Sequence, residues 1–220
     1  MVVFVPLKKE SQRVPGKNFR DFGGIPLYKH VLMKYRDLSV FVDTDNPDVL
    51  KMIKQDEDLQ HVEVYLRKEN LKGHDVSVNL LIDYFLTVCK QECIYAQVHV
   101  TNPFLKPETV VHAAESIGES FDSVCSADRI QARCWRMEAN RSIPINHNPS
   151  VLEQTQDINP VFVENSCFYL FTRDSFLGNG RNRVGKKPLF CETAYPQNLD
   201  IDTEEDWDRC LRVLKEEDEQ

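Results

Sequence analysis

Glycine is scarce in this chain, eight residues in 220. The only Gly-Lys pair near the N-terminus is Gly16-Lys17, short of the G-x-x-x-x-G-K-[ST] pattern that a P-loop NTPase needs. No apolar run approaches the roughly 18 to 20 residues of a membrane span. G-x-S-x-G is missing, and no cysteine stands convincingly beside a histidine, so nucleophilic hydrolysis has no support. Paired C-x-x-C spacing is missing too: the closest cysteines are Cys89 and Cys93, which argues against structural zinc. Positive charge is the minority, 27 basic against 35 acidic residues, and a net charge of −8 argues against a nucleic-acid surface. The chain opens on an apolar segment too short for a signal-peptide core, so secretion is not expected. The seven cysteines are odd in number and sit mostly in apolar runs, which reads as free, buried thiols in a reducing cytoplasm.

The positive charge that exists is concentrated. Residues 1–20 hold Lys8, Lys9, Arg13, Lys17 and Arg20 against Glu10 alone, a local balance of +4 that leaves −12 for the rest. One compact cationic loop on an acidic protein suits a small anion better than a polyanion. The loop "VPLKKESQRVPGKN" follows a continuous apolar run, "VVFVPL", of the kind that forms a strand buried on both faces. Read alone, it fits either a phosphate grip, through backbone N–H groups, Ser11 and lysine charge, or a solvated connection.

Beyond the loop, strands and helices alternate. "GGIPLYKHVLMKY" reads as a turn and a helix with Pro26 in its first turn, and "SVFV" as a strand. Asn46 caps a helix that begins at Pro47. "VEVYLR", "CIYAQVHV" and "SVCSA" are further strands, with "DVSVNLLIDYFLTV" and "PETVVHAAESI" as helices between them. This rhythm predicts a single α/β domain over residues 1–220, a parallel sheet covered by helices on both faces. Its ligands would bind at the carboxyl ends of the strands. From about Asp128 to Asp157 the period is lost, as expected of an inserted excursion. "VFVENSCFYLF" returns to the sheet, "GNGRNRVGKKP" reads as a mobile basic loop, and "TEEDWDRCLRVLKEEDEQ" as a helix capped by Thr203.

Near the C-terminus, "NLDIDTEEDW" places Asp200 and Asp202 two apart, so in an extended segment both carboxylates point one way. Two hard oxygen ligands on one side suit Mg²⁺, which keeps several waters and accepts phosphate oxygens. The plainer reading is a surface acid beside a helix start. "VHVTNPFLKP" puts His99, Thr101 and Asn102 at the end of the fourth strand, where a histidine is more often a hydrogen-bonded core residue. Asp43, Thr44 and Asp45 in "VDTDNP" read first as turn and cap residues.

Together these pieces resemble the acylneuraminate cytidylyltransferases, or CMP-sialic-acid synthetases, and their relatives that activate other 2-keto-3-deoxy sugar acids. The resemblance rests on "VPLKKESQRVPGKN", "FVDTDNP", "LKGHDVSVNLL", "VHVTNPFLKP", "ENSCFYLF", "NRVG" and "DIDTEEDW", in that order along nearly the whole chain. It implies a Rossmann-like, three-layer nucleotide-sugar transferase fold with a mostly parallel sheet, and a homodimer whose inserted arm, here about 129–160, reaches the partner. It further implies a Mg²⁺-dependent transfer of CMP from CTP to a sugar acid. Carried over by position, Lys8, Ser11, Arg13, Lys17, Asn18 and Asp75 would contact CTP, and His99, Thr101, Asn102 and Gln156 the sugar acid. Asp200 and Asp202 would hold the metal, with Lys17 and Asp202 as the catalytic pair. The family's G-G-S-K-R loop is Lys9-Glu10-Ser11-Gln12-Arg13 here, and a strand glycine is replaced by Ser166. Those departures keep two other readings open: a non-catalytic nucleotide-binding homologue, and a glycosyltransferase with an Asp-x-Asp metal site.

Overall fold

The structure, a computed structural model, describes residues 1–73 and 75–218. Strand β1 (Val2–Leu7) is apolar at five of its six positions, and its period-2 alternation divides the interior. Val3, Val5 and Leu7 join one buried cluster, Val2 and Phe4 another on the opposite face. A two-residue hairpin, β2 (Asp21–Phe22) and β3 (Ile25–Pro26), leads into α1 (Leu27–Lys34), so Pro26 is the N-cap rather than a helical residue. After β4 (Ser39–Thr44), the Asn46 side chain accepts from the amides of Asp48 and Val49 and starts α2 (Pro47–Gln55), as the sequence predicts. Next come β5 (Val62–Leu66), α3 (Val78–Val88), β6 (Tyr95–Val98), α4 (Pro107–Ala114) and β7 (Ser123–Ile130).

Between β7 and the long strand β10 (Val161–Phe171), the chain leaves the sheet. There it forms an exposed antiparallel hairpin of β8 (Trp135–Glu138) and β9 (Arg141–Pro144). The last elements are α5 (Arg173–Gly178), β11 (Pro188–Glu192) and α6 (Glu204–Asp218); Glu219 and Gln220 of the expected C-terminal helix lie outside the described residues. Thr203 Oγ1 accepts from the Asp206 amide while Asp206 Oδ2 accepts from the Thr203 amide, a reciprocal cap that fixes where α6 begins.

The sheet has seven strands in the order β11-β7-β10-β6-β1-β4-β5. All its neighbours pair in parallel except at β10, which runs antiparallel between β6 and β7. The sheet is thus mostly parallel, as the resemblance implies, and β10 is the one strand that departs from the strand-helix rhythm. The hairpin excursion returns the chain from the carboxyl end of β7 without a crossover helix, so β10 must run the other way. Helices α1, α2 and α4 cover the face of Val3 and Val5, and α3 and α5 cover the face of Val2 and Phe4. Trp207 of α6 packs edge-on to Phe22 at 5.7 Å and binds the chain's end beside the N-terminal loop.

Candidate active site

The loop after β1 is fastened at several points. Val14 is fully buried, Gly16 turns the chain at φ 65°, and Asn18 Nδ2 donates to the Lys8 carbonyl at 2.9 Å. The Lys9 amide donates to Asp45 and its ammonium reaches Asp48, so Lys9 faces away from the cleft. Lys8 turns inward, donates to the Gly73 carbonyl at 2.7 Å and lines a cavity of about 320 Å³ with Ser11, Arg13, Lys17 and Asn18. Val76, Val78 and Leu81 form the apolar wall of that cavity. Burial lowers the Lys8 pKa, and the neighbouring Arg67 lowers it further.

A second cavity, of about 460 Å³, shares Arg13, Lys17, Val78, His99 and Thr101 with the first and adds Ser166, Arg183, Asp200 and Asp202. The two are halves of one cleft at the carboxyl ends of β1 and β6, the position that such sheets reserve for ligands. The two ends of the sequence meet here. Arg13 lies 2.8 Å from Asp202 Oδ1, and Lys17 lies 3.4 Å from the same oxygen while also donating to the Ile201 carbonyl.

Asp200 tests whether a cation fits. Its Oδ1 is buried without a hydrogen-bond partner, and burial raises its pKa, opposed by a Thr101 hydrogen bond to the carboxyl and reinforced by the Asp202 charge. An orphaned carboxylate oxygen beside a second carboxylate is what a hard divalent cation relieves. Among the described residues no group of three or more His, Cys, Asp or Glu side chains is arranged to hold a metal ion, so water and phosphate would complete such a sphere. The residues present fit Mg²⁺.

Several expected site residues stand elsewhere. Asn102 is 1% exposed, and its amide donates to the Leu199 carbonyl, bracing the segment ahead of Asp200 instead of facing a ligand. Gln156 lies on an exposed turn of the excursion and bonds to Gln154, outside the cleft of its own chain. Asp75 is exposed at the rim, where its charge acts on Lys8, but it lines neither cavity.

A model of the cytidylyltransferase family matches residues 2–219. The chain belongs to that family. Its cytidylyltransferase relatives include the CMP-N,N'-diacetyllegionaminic acid synthase of Legionella pneumophila, 28% identical over 94% of this chain and 93% of that protein. The N-acylneuraminate cytidylyltransferase of Oncorhynchus mykiss is also 28% identical, over 90% of this chain; the match spans about half of that protein, 46%. Among solved structures, CMP:2-keto-3-deoxy-manno-octonic acid synthetase complexed with CTP superposes with a TM-score of 0.69. It covers 98% of each chain at 15% identity, a likeness of fold.

In this cytidylyltransferase, sequence reasoning passed over a polar chain behind the second cavity. Arg183 Nη1 donates to Gln97 Oε1 at 2.6 Å, and the Gln97 amide nitrogen lies 2.6 Å from His99 Nε2. Arginine can only donate, so the Gln97 carbonyl must face it and the amide N–H must face His99. Nε2 is then the acceptor of a neutral ring. Burial, followed by the charges of Arg183 and Lys17, holds the His99 pKa down to about 4, consistent with that state. The segment carrying Arg183, expected as a mobile basic loop, is anchored by backbone hydrogen bonds. Asp122 accepts from the amides of Lys186 and Lys187, Ser123 from Gly185, and Asn79 from Arg183 itself. One signal was available, because a lone glutamine inside the apolar strand "CIYAQVHV" must find a buried partner. Deeper still, Arg67 and Asp43 form a buried pair at 2.9 Å beneath the loop, also unforeseen.

Proposed function

We propose that this nucleotidyltransferase moves CMP from CTP onto a hydroxyl of a 2-keto-3-deoxy sugar acid, sialic acid or a related nonulosonic acid, and releases pyrophosphate. The observation that carries the reading is the meeting of Arg13 and Lys17 with Asp202 in one cleft, cationic loop against acidic pair. Triphosphate lies along Lys8, Ser11, Arg13 and Lys17, and the nucleoside against Val76, Val78 and Leu81. The sugar acid occupies the half lined by His99, Thr101, Ser166 and Arg183, and its hydroxyl attacks the α-phosphorus in line. A new P–O bond forms as the bond to the pyrophosphate oxygen breaks, and Asp202 is placed to take the hydroxyl proton. Both substrates are anions, so charge neutralisation and positioning carry the rate. Asp200 and Asp202 would hold Mg²⁺, which supplies positive charge to the phosphate oxygens when bound. Lys17 stabilises the charge that gathers on the transferring phosphoryl group.

The enzyme is read as a single catalytic domain with an arm over about 129–160, cytoplasmic and homodimeric. Unpaired cysteines throughout favour a reducing compartment. For the dimer, the support is the apolar surface the arm exposes: Met137 is 69% and Leu152 92% accessible. Gln156 sits on that arm and would then serve the partner's cleft. The deciding assay is pyrophosphate release from CTP and Mg²⁺ with a panel of nonulosonic and shorter 2-keto-3-deoxy acids. Release with at least one acid is expected, and none with any of them would overturn the reading.

A further inference from the structure

Four cationic side chains line the two cavities: Lys8, Arg13, Lys17 and Arg183. Arg13 and Lys17 are already committed to Asp202. Among the described residues, no carboxylate lies within ion-pair distance of Lys8 or Arg183. Lys8 belongs to the nucleotide half alone, and Arg183 to the sugar half alone. Two unpaired cations in two half-sites match two anionic substrates.

A partly buried guanidinium without an acidic partner needs a reason, because taking a charge out of water is costly unless it is paired. Glu164, which stands near enough to act on Arg183 by charge, is engaged by the Tyr169 hydroxyl at 2.8 Å. Arg183 is nevertheless held firmly. Its guanidinium carbon lies 3.5 Å from the centroid of the Tyr169 ring, Nη1 is bonded to Gln97, and its backbone amide to Asn79. Stacking on the ring fixes the plane of the fork, so little rotamer freedom remains to be lost when an anion arrives. A planar fork with parallel N–H groups is matched to a carboxylate, and this one shares its cavity with Asp200 and Asp202.

We propose that Arg183 receives the carboxylate of the sugar acid and selects acids over neutral sugars, with Gln97 and Tyr169 as positioning residues that hold its plane. The inference rests on the sugar-acid reading above and assigns the charged group of that substrate to one side chain. Without such an anion, the cleft keeps an unpaired, desolvated cation beside its reaction centre.

The test is calorimetry on the full chain saturated with a CTP analogue whose α–β bridge is methylene, so that binding is read without turnover. The probes are N-acetylneuraminic acid, other N-acylated nonulosonic acids, and the C1 carboxamide of each. The wild-type chain is expected to bind an acid about ten- to one-hundredfold more tightly than its carboxamide. Arg183→Gln should abolish that preference and Arg183→Lys should retain part of it, with affinity for the CTP analogue unchanged in both. A merely structural role would lower melting temperature or analogue affinity and leave the acid-to-amide ratio intact. An undiminished ratio in Arg183→Gln, or no preference in the wild type, overturns the assignment. Failure of the wild type to bind any acid while it binds the analogue overturns the sugar-acid reading itself.

Discussion

In the half of the cleft proposed for the nucleotide, nearly every charged or hydroxyl group comes from ten consecutive residues, Lys8 to Lys17. The sugar half instead gathers Arg13, His99, Ser166, Arg183 and Asp202 from across the chain. A contiguous loop can recognise the part of the substrate that every member of such a family shares. The scattered half can change one residue at a time without moving the loop. Where the resemblance expects a glycine, Ser166 holds φ 59°, a conformation that strains a residue with a side chain by about 1 to 3 kcal/mol. Its hydroxyl lies 3.2 Å from Tyr169, within the support of Arg183. The nucleotide half has its own departure. Lacking the family's glycines, the loop commits the Lys9 amide to Asp45, so on the proposed reading the phosphate grip would fall to side chains.

The sharpest way to break this division is at the carboxylate that ties the two halves together through Arg13 and Lys17. Asp202→Asn removes the carboxylate that pairs with Arg13 and Lys17 and would help to hold the metal. It should lower kcat by about 10³-fold, measured as pyrophosphate release, while CTP binding survives. Activity within tenfold of wild type would refute the catalytic assignment. Lys17→Ala comes next. It removes a largely buried ammonium from the phosphate side, and CTP affinity should fall about ten- to one-hundredfold by calorimetry. Equal losses for CTP and for the sugar acid would show that the halves are not separable.

The fold was largely legible because its signals are local. Apolar strand runs, the Asn46 and Thr203 caps and the alternation of strand and helix each depend on neighbours in sequence. The cationic loop was legible for the same reason, four basic residues against one acid within 5–18. The direction of β10 was not, since a strand's own residues do not say whether the chain returns by a helix or by a hairpin. Nor was the Arg183–Gln97–His99 chain, whose members meet only after β6 and the segment before β11 are folded together. Asn102 looked like a cleft residue from its place after β6, but Leu199 claims its amide.

A gentler test substitutes no cleft side chain. A Cβ on Gly185 would come within 2.1 Å of Asp122 Oδ1 and 2.8 Å of Ser123 Oγ, the two residues that clamp the Arg183 segment. Gly185→Ala should therefore displace Arg183 and raise the KM for the sugar acid by about three- to tenfold, at a stability cost of about 1 to 3 kcal/mol. The KM for CTP should stay put. A shift in CTP affinity instead would mean that the segment also supports the nucleotide half.

The smallest effect is a pH dependence that reports the link between Arg183 and His99. Unfolded, His99 titrates near 6.5; folded, burial first and the Arg183 charge second hold it down to about 4. Between those values the unfolded chain binds a proton that the folded chain refuses. Stability from this group is therefore full above about pH 6.5 and is lost as pH falls towards 4. Arg183→Gln removes one of the charges that depress the folded pKa, so the value should rise towards 6.5 and the acid-side loss should shrink. Urea midpoints at pH 7 and pH 4.5 measure this, with wild type expected to lose about 1 kcal/mol more than the variant. His99→Gln supplies the baseline due to carboxylates, and on that background Arg183→Gln should no longer change the slope. If wild type and Arg183→Gln lose equal stability, the Arg183 charge does not hold the His99 pKa down, and the two residues titrate as independent groups.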